Sequence, residues 1–126
     1  MNFLPGRLVR QDGLALACAD NQTVWPLPAA FAPPAALLDK NLVLGVRPEH
    51  LTVGGDGPAL SAKLQVIESL GNETLAYFQV GGQPITARCN GQLAATVDQK
   101  LDLSLRAEHI DLFADDDLGA NLLPDG

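Results

Sequence analysis

One element occurs twice in this chain, at residues 42 to 53 (LVLGVRPEHLTV) and at residues 101 to 112 (LDLSLRAEHIDL). Leu42, Leu44, Val46, Arg47, Glu49, His50, Leu51 and Val53 answer to Leu101, Leu103, Leu105, Arg106, Glu108, His109, Ile110 and Leu112. Both histidines of the protein lie in it. Apolar residues alternate over the opening positions of each copy, which sets one face of a β-strand on a core, and Arg-x-Glu-His then interrupts before a second short apolar run. An internal repeat announces architecture before any single motif does. It predicts two equivalent β-halves, roughly 1–55 and 58–114, with Leu42, Leu44, Val46, Leu101, Leu103 and Leu105 all facing a core. The Arg and Glu of each copy should pair locally, with each His hydrogen-bonded to backbone at a strand end.

The rest of the chain punctuates itself as short strands. Gly6 to Cys18 reads as a hairpin closed at Asp12-Gly13. Thr23 to Leu27 follows, with Pro26 placing that strand at an edge or marking its end. Residues 28–40 (PAAFAPPAALLDK) are the only helical candidate and suffice for one turn. The breaker Gly54-Gly55-Asp56-Gly57-Pro58 separates the halves. Leu60 to Ile67, Thr74 to Val80 and Ile85 to Cys89 form a meander, the last two joined at Gly81-Gly82. Asn90 to Lys100 connects to the second copy with a brief apolar contact at Leu93, and residues 115–126 make an acidic, peripheral tail. Eight to ten short strands with Gly-rich turns predict an all-β fold: a small barrel, OB-like or MOP-like, or a sandwich, with at most one helical turn.

Composition narrows the function. A chain of 126 residues fits one domain, and 47% hydrophobic with 18% charged residues excludes a disordered chain. No apolar run approaches the ~18 residues needed to cross a bilayer, and MNFLPG lacks the features of an export signal. A net charge of −7 with eight Lys and Arg repels a phosphate backbone or an anionic lipid surface, and aromatics at 5% are too few for a stacking platform, so no nucleic-acid partner is expected. Cys18 and Cys89 close alternating runs and are expected as core residues of a reduced, cytosolic protein.

Catalytic constellations are missing from the pattern. Lys40, Lys63 and Lys100 follow Asp, Ala and Gln, so none completes a phosphate-cradling loop. Ser61, Ser69 and Ser104 sit in no nucleophile-elbow frame. His50 with Glu49, and His109 with Glu108, hold metal-ligand chemistry, but neighbours on a strand point to opposite faces. The chain is therefore expected to be no enzyme by itself, with neither catalytic nor metal-binding residues and no cofactor.

Four motifs in order carry a resemblance: Met1-Asn2-Phe3-Leu4-Pro5-Gly6, Gly45-Val46-Arg47-Pro48-Glu49-His50, Glu68-Ser69-Leu70-Gly71-Asn72-Glu73-Thr74 and His109-Ile110-Asp111-Leu112-Phe113. Together they resemble the carboxy-terminal regulatory half, the transport-associated OB (TOBE) domain, of ATP-binding subunits in sugar ABC importers of the maltose and glycerol-phosphate type. One departure is Ala114, which stands before Asp115 where that family usually has aspartate directly after the Phe. The resemblance implies a regulatory and dimerisation module, with ATP and Mg belonging to a nucleotide-binding domain outside this chain. The implied partners are that domain, a second copy of the subunit, the transmembrane permease subunits and, in some members, a regulator of the glucose phosphotransferase system. The implied location is cytoplasmic, peripheral on the inner face of the membrane. The alternative is a small-ligand or oxyanion barrel of the molybdate-binding type, which the net charge disfavours. A module without chemistry acts through contacts, so Glu68 and Leu70 on their turn, Phe113 at the last strand and an incompletely buried Trp25 are the expected dimer or regulator surface.

Overall fold

A computed structural model describes residues 1–54 and 57–114. The expectations for the acidic tail and for the turn after Ala114 lie outside these residues, as does the centre of the Gly54–Pro58 breaker. Ten strands follow one another: β1 (Asn2–Arg10), β2 (Leu14–Cys18), β3 (Val24–Pro26), β4 (Asn41–Val46), β5 (Leu51–Val53), β6 (Leu60–Ser69), β7 (Glu73–Val80), β8 (Gln83–Asn90), β9 (Lys100–Leu105) and β10 (Asp111–Ala114). Among the described residues helical backbone is confined to 3-10 turns at Ala35–Leu37, Pro48–His50 and Ala107–His109, so the one turn expected is joined by two more inside the repeat. The fold is all-β, an OB-like barrel, as the spacing of turn residues predicts. Gly81 and Gly82 close the two-residue β7–β8 hairpin at φ +57° and +79°. Two consecutive positive φ values make the tight turn that matches strand twist.

The strands form two five-stranded antiparallel sheets, one in the order β10-β4-β1-β2-β3 and the other β5-β9-β6-β7-β8. If β1 to β5 correspond to β6 to β10, the two orders are identical with the last strands exchanged. The register agrees. Leu44 lies between Leu4 of β1 and Leu112 of β10, while Leu103 lies between Leu60 of β6 and Val53 of β5. The halves of the sequence are thus not two bodies in space, because each sends its final strand to the edge of the other's sheet. The reason is that the turns 48–50 and 107–109 carry the chain across before β5 and β10 begin.

Both sheets turn their alternating apolar faces to one core. Leu42, Leu44, Val46, Leu103 and Leu105 are buried and Leu101 packs half-buried against them. Burial of each such side chain contributes about 1.5–3 kcal/mol. Trp25 lies wholly within this core, and its indole N–H donates across the barrel to the Leu103 carbonyl oxygen at 3.2 Å. Seams between the sheets are closed by β1 against β8 and β3 against β6, while β5 against β8 brings the two edges of the second sheet together. At the first seam the Asn2 side chain acts as a surrogate peptide for the edge of β8. Its amide donates to the Thr86 carbonyl at 2.7 Å, and its oxygen accepts from the Thr86 N–H at 2.9 Å. The corresponding position on β3 is Pro26, which has no N–H to satisfy.

Candidate functional site

The two Arg-x-Glu-His clusters meet where the chain crosses between sheets. Arg47 is extended, as a residue before proline must be, Pro48 opens the turn, and the His50 N–H donates to the Arg47 carbonyl at 2.9 Å. Arg106 to His109 repeat this turn with Ala107 in place of proline, the His109 N–H donating to the Arg106 carbonyl at 2.9 Å. The imidazoles of His50 and His109 then stack on each other, ring centroids 3.7 Å apart and planes 13° from parallel. This corrects the expectation that each ring is hydrogen-bonded to backbone at a strand end. The repeat had placed the two residues as equivalents, but only the strand exchange brings equivalents into contact. Lone pairs of imidazole nitrogens lie in the ring plane, so stacked rings cannot converge on one ion. Among the described residues no group of three or more His, Cys, Asp or Glu is disposed to hold a metal.

The charged neighbours differ between copies. Arg106 pairs with Glu108 at 3.2 Å, as expected. Glu49 is held below the usual carboxylate range first by a hydrogen bond from its own backbone amide, with His50, Arg47 and Arg88 adding favourable charge. Arg88 on β8 in turn pairs with Glu73 at 3.3 Å. Both cysteines are poor nucleophiles here: burial, then Asp20, pushes the Cys18 thiol up to about 11, and burial also raises Cys89.

The four residues expected to share a contact surface are distributed otherwise. Trp25 is 0% exposed and presents nothing to a partner, which corrects the expectation of incomplete burial. Its neighbours Val24 and Pro26 suggested an exposed edge, but alternation along this short strand points the indole inward. Glu68 and Leu70 lie on the exposed β6–β7 hairpin, where the Leu70 N–H donates to the Glu73 carbonyl at 2.8 Å. Phe113 is on the outer face of the other sheet.

Around Phe113 the sequence reading missed a partner. Phe3, 51% exposed, meets the Phe113 ring edge-on at 5.9 Å, and Met1, 48% exposed, lies beside them. Gly45 makes the floor: a Cβ there would come within 2.7 Å of the Phe113 ring, so only glycine lets the aromatic lie flat on β4. Buried Asn2 and Leu4 flank Phe3, and that alternation is the signal that could have revealed it. The second sheet has Ala59, Asp102, Ser104 and Gly54 where the first has Phe3, Val43, Gly45 and Phe113. There the Ser104 hydroxyl bonds the Gly54 carbonyl at 3.4 Å in the space that Phe113 fills on the first sheet. One outer face is apolar and aromatic, and its counterpart is small and polar.

Comparison with known proteins agrees with this geometry. A family model described as the TOBE domain matches residues 44–113, and one described as the MalK OB fold domain matches residues 1–51. The "Sulfoquinovosyl glycerol transport ATP-binding protein SmoE" of Agrobacterium fabrum is 32% identical over 117 residues, covering 90% of this chain and 31% of that protein. The "sn-glycerol-3-phosphate import ATP-binding protein UgpC" of Chromobacterium violaceum is 34% identical over 108 residues, covering 85% and 26%. The chain thus spans about a third or less of the length of these relatives. A solved structure of the cytoplasmic molybdate-binding protein ModG, with molybdate bound, superposes with a TM-score of 0.64 at 13% identity, covering 88% of this chain and 94% of that one. That likeness is one of fold.

Proposed function

From the premise that the chain belongs to the TOBE domain family, we propose that it is the regulatory and dimerisation domain of the ATP-binding subunit of an ABC importer for sugars or related solutes. The curated relatives support the transporter context, and the pairing of exposed Phe3 with half-buried Phe113 is the observation that carries the contact role. Large aromatics left half in water are enriched at the centres of interfaces, and this pair, bordered by Asp111 on β10, suits a second copy of itself. The partners in this reading are the subunit's own nucleotide-binding domain, a second copy, the permease subunits and, on the separate Glu68–Leu70 hairpin, a phosphotransferase-system regulator. No helix among the described residues is long and apolar enough to cross a membrane. In this reading, which rests on the relatives, the domain sits at the cytoplasmic face through the parent transporter. ATP and Mg would be handled outside this chain, and no residue here is assigned to catalysis. For the oxyanion-binding alternative, the shared fold with ModG is the only support.

The test is self-association of the purified chain across a concentration series by light scattering, followed by regulated transport in the intact subunit. The parent chain is expected to associate and the Phe3→Ser, Phe113→Ala double variant to remain monomeric. Glu68→Lys should alter regulation with association unchanged. If the double variant matches the parent in both mass and transport, the surface is assigned wrongly. Saturable micromolar ATP binding by the isolated chain would overturn its separation from the nucleotide site.

A further inference from the structure

The stacked histidines lie at the one place where the two halves exchange strands. His50 is followed directly by β5, which joins the second sheet, and His109 is followed after Ile110 by β10, which joins the first. The turns that carry the two rings have no buried residue of their own and no side-chain cap. Ala107 packs half-buried on the core and the first turn rests on β8, while the stacked rings join the two turns directly. Imidazole is the side chain whose charge changes between pH 5 and 8. Two neutral rings, or one neutral and one protonated, attract when stacked, whereas two imidazolium rings at 3.7 Å repel.

Glu49 offers favourable charge to His50, but the charged groups around the stack carry no net excess of anions. On the turns themselves are Arg47 with Glu49 and Arg106 with Glu108. From β8, packed against the first turn, comes Arg88 with its partner Glu73 on β7. These six groups balance, three cations against three anions. Asp111 on β10 is a further anion two residues from His109, but it belongs to the outer face with Phe113, as its register with Gly45 places it.

We infer that the His50–His109 stack is a proton-sensitive clasp on the strand exchange, closed while at least one ring is neutral and opened when both are protonated. Opening frees the two turns and loosens β5 and β10 at the sheet edges. The inference stands apart from the docking role of the outer face, since it concerns only this chain's own stability.

Its test is carried out on the 126-residue chain. Urea unfolding is measured at pH 7.5 and 5.5 for the parent, His50→Phe and His109→Phe, each variant keeping a flat ring in the stack but removing one proton site. The folded-to-unfolded ratio of the parent should fall about three- to fivefold more between these pH values than that of either variant. Proton NMR titration of the imidazole ring signals in the parent needs no variant, and it should show two coupled, separated steps. Equal pH dependence in all three chains, or two imidazoles titrating as independent single sites, overturns the clasp.

Discussion

The two sheets have the same strand order and the same inward apolar positions, but opposite outer faces. The first carries Phe3, Val43 and Phe113 over Gly45, and the second carries Ala59, Asp102 and Gly54 beside Ser104. Inward positions are constrained by the common core, in which each side chain must fit its neighbours. Outward positions answer only to solvent or to a partner. A repeat whose inner face persists and whose outer face does not therefore separates what the fold requires from what the contact surface adds. Their hairpin arms differ too. β7 and β8 have eight residues each, and β8 covers the 48–50 turn and β5. β2 and β3 have five and three residues, and the Pro-rich segment that follows seals its end of the core with Leu27 and Phe31 instead.

The comparison can be broken most forcefully inside the core. Trp25 corresponds to Ile85, since they face Leu16 and Phe78 at matching positions. Trp25→Ala should cost about 3–5 kcal/mol in urea unfolding, more than Ile85→Ala, because it also removes the donor to the Leu103 carbonyl. Next, Leu44→Ala and Leu103→Ala should each cost about 2–5 kcal/mol and agree within about 1 kcal/mol. A loss below about 0.5 kcal/mol at either site would mean that the halves are not equivalent in packing.

Asn2→Ala is expected to cost about 1–3 kcal/mol and to speed hydrogen exchange at the Thr86 amide. This effect sharpens the contrast, because Pro26 on the other side needs no such partner. Unchanged exchange at Thr86 would show the seam to be closed by packing alone. The smallest effect distinguishes Cys18 from its counterpart Val80. The folded-state thiol is raised to about 11, so its contribution is complete below the ordinary thiol range near 9 and is lost as pH rises through 11. The parent should therefore lose stability over that alkaline window, and Cys18→Val should lose less, the remainder coming from Cys89, whose thiol burial also raises. Parallel alkaline curves for the two chains would place Cys18 in a more solvated site.

Much of this arrangement is legible in local sequence. Alternation assigned the core leucines of β4 and β9, Asp12-Gly13 and Gly81-Gly82 marked hairpins, and the Pro-rich segment allowed one helical turn, because strand period and turn chemistry depend on neighbouring residues alone. The repeat in particular established which residues are equivalents. Sequence did not indicate where equivalents would meet. The strand exchange, the stacking of His50 on His109, the burial of Trp25 against Leu103 and the pairing of Phe3 with Phe113 all join residues distant along the chain. Each depends on which edge of which sheet a strand reaches, a choice decided by core packing across the whole barrel and carried by no single segment.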